Sequence, residues 1–334
     1  MLRTLAEYGL GRVPVYRAAS YCPSSRLFLA LGGVSPTGSL KDRTGYYLLN
    51  DLIERLHGEP LLRIVESTSG NLGISLCYFT KSWDCKVLCV IDPTITRMKR
   101  DRLEEAGAEI LEVSLVKYPD YRTARIEKAR ELDRKAGFYW LNQYDNPAGF
   151  LAHFETTGPE IWEGTGGQAD VIICSVGTGG TICGVGHALK RRNPKIKIIG
   201  VEPKGSTIFG GNAATFLNVG AGLRYPSGLV ERYGQVIDFY SQVDDRVAVA
   251  QCKRFVEAEG VNVGISTGYA LHVGAHWARQ HPLETVVVIS PDMGDNYTSL
   301  LLDSTSEEGT SPPEIYPVSS IPGWRKKMEQ EEET

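Results

Sequence analysis

Lys41 closes the run "SPTGSLK", Ser35 to Lys41, where a long cation follows a string of small and turn-forming residues. Pro36, Gly38 and Ser39 are a turn signal. The apolar spacing of Tyr46, Leu49, Leu52 and Ile53 predicts a helix from Thr44 to Leu56. A lysine at the opening of a helix sits where the dipole disfavours a cation. A depressed pKa is what an amine needs in order to form a Schiff base. Taken alone, a lysine on a turn is a solvated charge, and its meaning depends on three other stretches.

The first is "ESTSGNLG", Glu66 to Gly73, in which Ser67, Thr68, Ser69 and Asn71 open a helix with free backbone N–H groups. That set suits a carboxylate. The same residue types are ordinary helix caps, although one cap needs one of them and this loop offers four. The second is "SVGTGGTICG", Ser175 to Gly184, whose Gly177, Thr178, Gly179, Gly180 and Thr181 let the backbone approach a phosphate at a helix start. A dinucleotide loop fits less well, because Ile182 stands where GxGxxG needs glycine, and no GK[ST] follows for a Walker loop. A phosphomonoester is the expected ligand. The third is "VGISTGYA", Val263 to Ala270, where Ser266 either faces a heterocyclic nitrogen or, with Thr267, caps the helix that follows.

The elements that position these stretches alternate. Buried strands are predicted at Arg63 to Ser67, Lys86 to Asp92, Asp170 to Gly177, Lys197 to Pro203 and Thr285 to Pro291. Helices are predicted at Asn71 to Thr80, Thr96 to Ala106, Tyr121 to Ala136 and Thr181 to Arg192. Strand then helix, repeated, gives an α/β fold with mostly parallel sheets flanked by helices. The turn-rich segment Asn142 to Trp162 reads as a crossover between two domains, and a cleft between such domains is the place for a ligand.

Composition narrows the function. A chain of 334 residues with 42% hydrophobic and 23% charged residues is an ordinary globular protein. A net charge of −4 gives no electrostatic reason to expect nucleic acid or an anionic membrane as partner. No apolar run approaches a bilayer span and the N-terminus lacks the apolar centre of a signal peptide, so a cytoplasmic location is expected. Seven cysteines without a CxxC pair are expected to be reduced and mostly buried. Six histidines without zinc-ligand spacing lead to no metal assignment.

A reactive lysine, a carboxylate loop, a phosphate loop and a late serine, in this order, resemble the PLP-dependent cysteine synthase and cystathionine β-synthase family of fold type II. The resemblance covers nearly all of Val13 to Leu302. It implies that Lys41 in "SLKDR" carries pyridoxal 5'-phosphate and then acts as the base. It further implies that Asn71 bonds the ring hydroxyl, that Gly177 to Thr181 hold the phosphate, and that Ser266 meets the pyridine nitrogen. "NQYDNP" resembles the family's glutamine segment, so Gln143 joins Ser67, Thr68 and Ser69 at the substrate carboxylate. "VGAG", Val219 to Gly222, resembles the loop on the substrate side of the ring, which places Gly220 there. A larger cofactor-binding domain is expected from residues 1–40 and 150–302, a smaller mobile one from 41–149, and a flexible tail from 303–334, where Trp324 could still dock on a surface.

The resemblance implies β-replacement on an O-activated L-serine through an aminoacrylate, with a homodimer as the assembly. Leu72 stands where sulfide-using members have a threonine, which removes a hydroxyl donor beside the carboxylate loop. "IDPTIT", the segment Asn142 to Ile161 and "GSTIFGG" look more like the branch that joins O-phospho-L-serine to the amine of L-glutamate, giving 2,3-diaminopropionate precursors for siderophores and antibiotics. A phosphate leaving group needs a fixed cation; Arg224 is the candidate, and equally it is one surface arginine among many. A cysteine synthase, a serine or threonine dehydratase and a non-catalytic PLP-binding partner protein share the same core motifs. Cys183, near the phosphate loop, has no functional reading.

Overall fold

In the computed structural model the described residues are 4–58, 61, 63–68, 70–118, 120–135, 137–217, 220–297, 311–322 and 324. The chain divides into two compact units, Met1–Gly11 with Ser35–Gly149, and Arg12–Val34 with Phe150–Thr334. Its strands are β1 (Val15–Arg17), β2 (Arg26–Leu31), β3 (Arg63–Ser67), β4 (Lys86–Ile91), β5 (Glu109–Glu112), β6 (Phe138–Trp140), β7 (Val171–Ser175), β8 (Lys197–Pro203), β9 (Phe239–Val243), β10 (Thr285–Ser290) and β11 (Tyr316–Pro317).

The first unit holds a parallel sheet in the order β5-β4-β3-β6. Strand β3 is inner and buried from Ile64 to Ser67, as its continuous apolar character demands. The helix Lys41–Leu56 starts three residues before the predicted point. Its buried stripe is Gly45, Leu48, Leu49 and Leu52, with Leu48 in place of the expected Tyr46 and Ile53. Gly45 sets this face: a Cβ there would lie 2.5 Å from Ser75 Oγ, so the helix comes close to the next one, Asn71–Thr80. Ser75 Oγ donates to the Lys41 carbonyl at 3.2 Å, which ties the start of one helix to the body of the other.

The division departs from the expected one at the N-terminus. Residues 1–11 and 35–40 belong with 41–149, because Leu5, Tyr8 and Leu10 pack against the cluster of Leu48, Leu49 and Phe79. Ser35 and Thr37 in turn bond the buried Asp42 carboxylate. The boundary at residues 149–150 is as expected.

The second unit carries a sheet in the order β1-β2-β10-β7-β8-β9-β11. Its inner pairs are parallel and its two edges, β1 on β2 and β11 on β9, are antiparallel. Every residue of β10 is buried, the pattern of a strand covered on both faces. The helices Asp245–Glu259 and Ile265–Gln280 contribute Phe255, Tyr269, Leu271 and Val273 to the core. The expected flexible tail is corrected in part: β11 pairs with β9, and Trp324 is 7% exposed with its ring 5.4 Å from Phe209. Burial of that indole holds the segment to the sheet edge, while 303–310 and 325–334 lie outside the described residues.

Leu49 is fully buried between the two helices that fix Lys41. Leu49→Ala should cost about 2–5 kcal/mol through lost transfer energy and the cavity left behind. Urea unfolding followed by circular dichroism will show this as a lowered midpoint.

Candidate active site

In the first unit the predicted residues converge on the ends of β3 and the two helices. Lys41 is the first residue of its helix, with its backbone N–H donating to Ser39 Oγ at 3.0 Å. Its Nζ donates to Gln143 Oε1 at 2.9 Å, and Gln143 Nε2 donates to the Ser67 carbonyl at 2.7 Å. Gln143 is therefore a bridge with both amide ends used, and it is 5% exposed. Its neighbour Asn142 takes a left-handed φ of 53°, a conformation asparagine tolerates and most side chains avoid. Tyr144 Oη lies 3.4 Å from Ser67 Oγ. Asn71 opens its helix at the first position, after Gly70 with φ 138°. Ser69 lies outside the described residues.

The hydroxyl-rich loop is not a simple helix cap. The cap position is Gly70 and no side chain caps the helix there. Thr68 Oγ1 accepts from the Gly70 N–H at 3.1 Å, which leaves its own O–H to donate outward. Leu72 is 1% exposed within the apolar core, so its side chain fills space under the loop.

Burial pushes the Lys41 amine down to about 8, with the Glu66 carboxyl pulling the other way. The direction is the one expected from the sequence, but its cause is desolvation ahead of any helix dipole. Near neutral pH a usable fraction of such an amine is uncharged and nucleophilic.

In the second unit, β7 runs into the loop Val176–Gly179 and the helix Gly180–Lys190. The glycines are required by space. A Cβ on Gly177 would lie 2.6 Å from the Gly220 carbonyl oxygen, and one on Gly179, at φ 86°, would lie 2.4 Å from Val230 Cγ2. Ser227 Oγ donates to the Thr178 carbonyl at 2.6 Å, which turns that peptide away from the helix start. Gly220 and Gly222 are both left-handed, and the Gly222 N–H donates to the Val176 carbonyl at 2.7 Å, so the two loops lie against each other. Thr181 Oγ1 pairs at 3.2 Å with Nε2 of His153, whose Nδ1 reaches Thr157 Oγ1 at 3.0 Å.

Ser266 is 3% exposed, and no side chain caps its helix. Its hydroxyl instead donates to Asp292 Oδ1 at 3.3 Å, Tyr297 donates to the other Asp292 oxygen at 2.8 Å, and Ser175 Oγ donates to the Ser266 carbonyl. Arg224 is half-buried with its guanidinium 5.9 Å from the Phe216 ring centre, a stacked arrangement that restricts it. Cys183 is fully buried with its thiol on the Leu229 carbonyl at 3.8 Å, and burial pushes its pKa up: it is packing.

Asp42, Glu66, His153 and Asp292 escape a reading of the sequence as site residues. Each is buried and each acts on a predicted residue or its loop. Only the position of Asp42 directly after Lys41 was a signal.

Among the described residues no group of three His, Cys, Asp or Glu is placed to hold a metal, and no helix is long and apolar enough to cross a membrane. An amine of depressed basicity and a glycine cradle at a helix start that no side chain fits are the equipment of an enzyme that holds a phosphorylated aldehyde. The chain belongs to the pyridoxal-phosphate dependent enzyme family, whose description matches residues 6–292. Its structure is similar to O-acetylserine sulfhydrylase isoform 3 from Entamoeba histolytica, at 29% identity and TM-score 0.81 over 93% of this chain and 94% of that one. An O-ureido-L-serine synthase matches at 26% identity and TM-score 0.82 over 93% and 98%. The O-acetylserine dependent cystathionine β-synthase from Helicobacter pylori matches at 27% identity and TM-score 0.81 over 90% and 98%. The residues present fit the family's cofactor.

Gly179→Ala should weaken pyridoxal phosphate binding at least tenfold, because both its φ and the contact with Val230 oppose a side chain. Titration of the cofactor-free protein with pyridoxal phosphate, read by absorbance, checks this.

Proposed function

We propose that this chain replaces the β-substituent of an O-activated L-serine, taking O-phospho-L-serine and joining its β-carbon to the amine of L-glutamate to give a 2,3-diaminopropionate precursor. The observation that carries the reaction class is the Lys41 amine, held by Gln143 and depressed to about 8, in a pyridoxal-phosphate dependent chain. Similarity to structures named for O-acetylserine and O-ureido-L-serine chemistry supports an O-substituted serine as the donor.

Bound pyridoxal phosphate supplies the electron sink for a carbanion at Cα. In this reading Lys41 Nζ bonds the aldehyde carbon at rest, is displaced by the substrate amine, and then removes the Cα proton. Asn71 bonds the ring hydroxyl, the Gly177–Thr181 loop holds the phosphate, and Ser266 meets the ring nitrogen. Ser67, Thr68, Ser69 and Gln143 receive the substrate carboxylate, with Gly220 on the substrate side of the ring. The Cβ–O bond breaks with its electrons going to the leaving phosphate, which Arg224 neutralises. The incoming amine then forms a bond to Cβ and loses a proton, and Lys41 returns a proton to Cα. A homodimeric, cytoplasmic enzyme is the setting this reading carries.

A second reading has its own support: the similar structures include an O-acetylserine sulfhydrylase, so sulfide is the competing nucleophile and cysteine the competing product. Purified holoenzyme is offered O-phospho-L-serine or O-acetyl-L-serine, each with glutamate or with sulfide, and the products are separated by mass. The proposal expects the glutamate adduct from O-phospho-L-serine. Cysteine as the dominant product supports the second reading, pyruvate without added nucleophile points to a dehydratase, and no turnover to a binding protein.

Arg224→Ala should lower kcat/KM for O-phospho-L-serine by about 10–100-fold, the scale of one lost charge-assisted bond, while sparing O-acetyl-L-serine. Equal loss with both donors contradicts the assignment.

A further inference from the structure

Glu66 is the one member of the Lys41 neighbourhood that the mechanism above leaves without a task. It lies on β3, fully buried, between Val65 and Ser67. Neither carboxyl oxygen has a hydrogen-bond partner of acceptable geometry among the described residues, and neither has the buried indole N–H of Trp140. The nearest donors are that indole and the backbone N–H groups of Gln143 and Ser67. They favour a charged carboxyl, and burial outweighs them.

A buried carboxylate without completed hydrogen bonds is among the costliest arrangements in a protein, and the usual outcome is that the group takes up a proton. The titratable groups acting with Glu66 are Lys41, at the head of its helix, and Cys89, its partner across β4. The Cys89 thiol is pushed well up and is neutral. Gln143 connects the pieces: its backbone N–H is directed to Glu66, its side chain to Lys41 and to the Ser67 carbonyl.

We propose that Glu66 is a positioning residue for Lys41: held as an uncharged carboxylic acid, it denies the lysine a buried anion to pair with and so keeps the amine available to capture an aldehyde. An ionised Glu66 would do the opposite. It would hold Lys41 as an ammonium by an ion pair in a poorly screened interior, and the amine would lose its nucleophilicity. Burial pushes Glu66 up to about 8, so the acid form prevails at neutral pH and is lost as pH rises through that value. The inference rests on the reading of Lys41 as the aldehyde-capturing lysine, but the protonation of Glu66 can be read without it.

The experiment uses the full chain, wild type and Glu66→Gln, with and without pyridoxal phosphate. Infrared spectra at pH 7 should show in the wild type the carbonyl stretch of a protonated carboxylic acid, shifted by isotope-labelled glutamate and missing in E66Q. Absence of that band in the wild type overturns the proposal, and this measurement stands even if the variant fails to fold. The second readout is the pH dependence of aldehyde capture by the cofactor-free protein, followed by absorbance. Glutamine reproduces a neutral acid, so E66Q should capture pyridoxal phosphate with the same apparent pKa as wild type up to pH 7.5. A midpoint in E66Q more than one pH unit lower, the mark of a lost anion, overturns the proposal. Failure of both proteins to capture the aldehyde would refute the reading of Lys41, and the infrared band would still decide the charge of Glu66.

Discussion

A lysine amine that must react as a neutral nucleophile has to be kept out of water and away from anions, and the first unit is arranged around that constraint. Lys41 heads a helix whose close approach to its neighbour depends on Gly45. Asp42, directly after it, gathers Ser35 and Thr37 so that the preceding turn is folded down. Gln143 takes the amine and the Ser67 carbonyl together, which fixes the lysine against the strand that carries the hydroxyl loop. The buried core of Leu48, Leu49, Leu52, Leu72 and Phe79 supplies the rigidity behind this arrangement.

The second unit solves a different problem, that of approaching an anion with main chain instead of side chains. Gly177 and Gly179 have neighbours where a Cβ would stand, and the helix that follows presents unpaired N–H groups. Ser227 and the Val176–Gly222 bond hold this loop from behind. Ser266 is oriented by Asp292, which is itself held by Tyr297, so a single hydroxyl is set by two buried groups.

Much of this was legible in the sequence, and the reasons are physical. The apolar runs that became β3, β4, β7, β8 and β10 are inner parallel strands, whose burial on both faces leaves a continuous hydrophobic signature. The short edge strands β1 and β11 leave none, since they are half-exposed and two or three residues long. The Lys41 helix was recognisable but its stripe was shifted, because Gly45 and Leu48 face the core and a glycine carries no hydrophobic signal. The reactive lysine and the glycine loop stood out through residue type and order. The residues that set their charge and direction, Glu66, His153 and Asp292, did not, since an acid or histidine in a sequence looks the same whether solvated or buried. The tail was read from composition, which is blind to a single indole, Trp324, finding a place beside Phe209.

The central claim is that Lys41 is the residue that binds the cofactor aldehyde. The most direct measurement is the visible absorbance spectrum of the purified chain reconstituted with pyridoxal phosphate, compared with Lys41→Ala, followed by borohydride reduction and peptide mass analysis. The account predicts an imine band in the wild type alone and a pyridoxyl group fixed to Lys41. A band that survives in Lys41→Ala, or a label on another lysine, would contradict it.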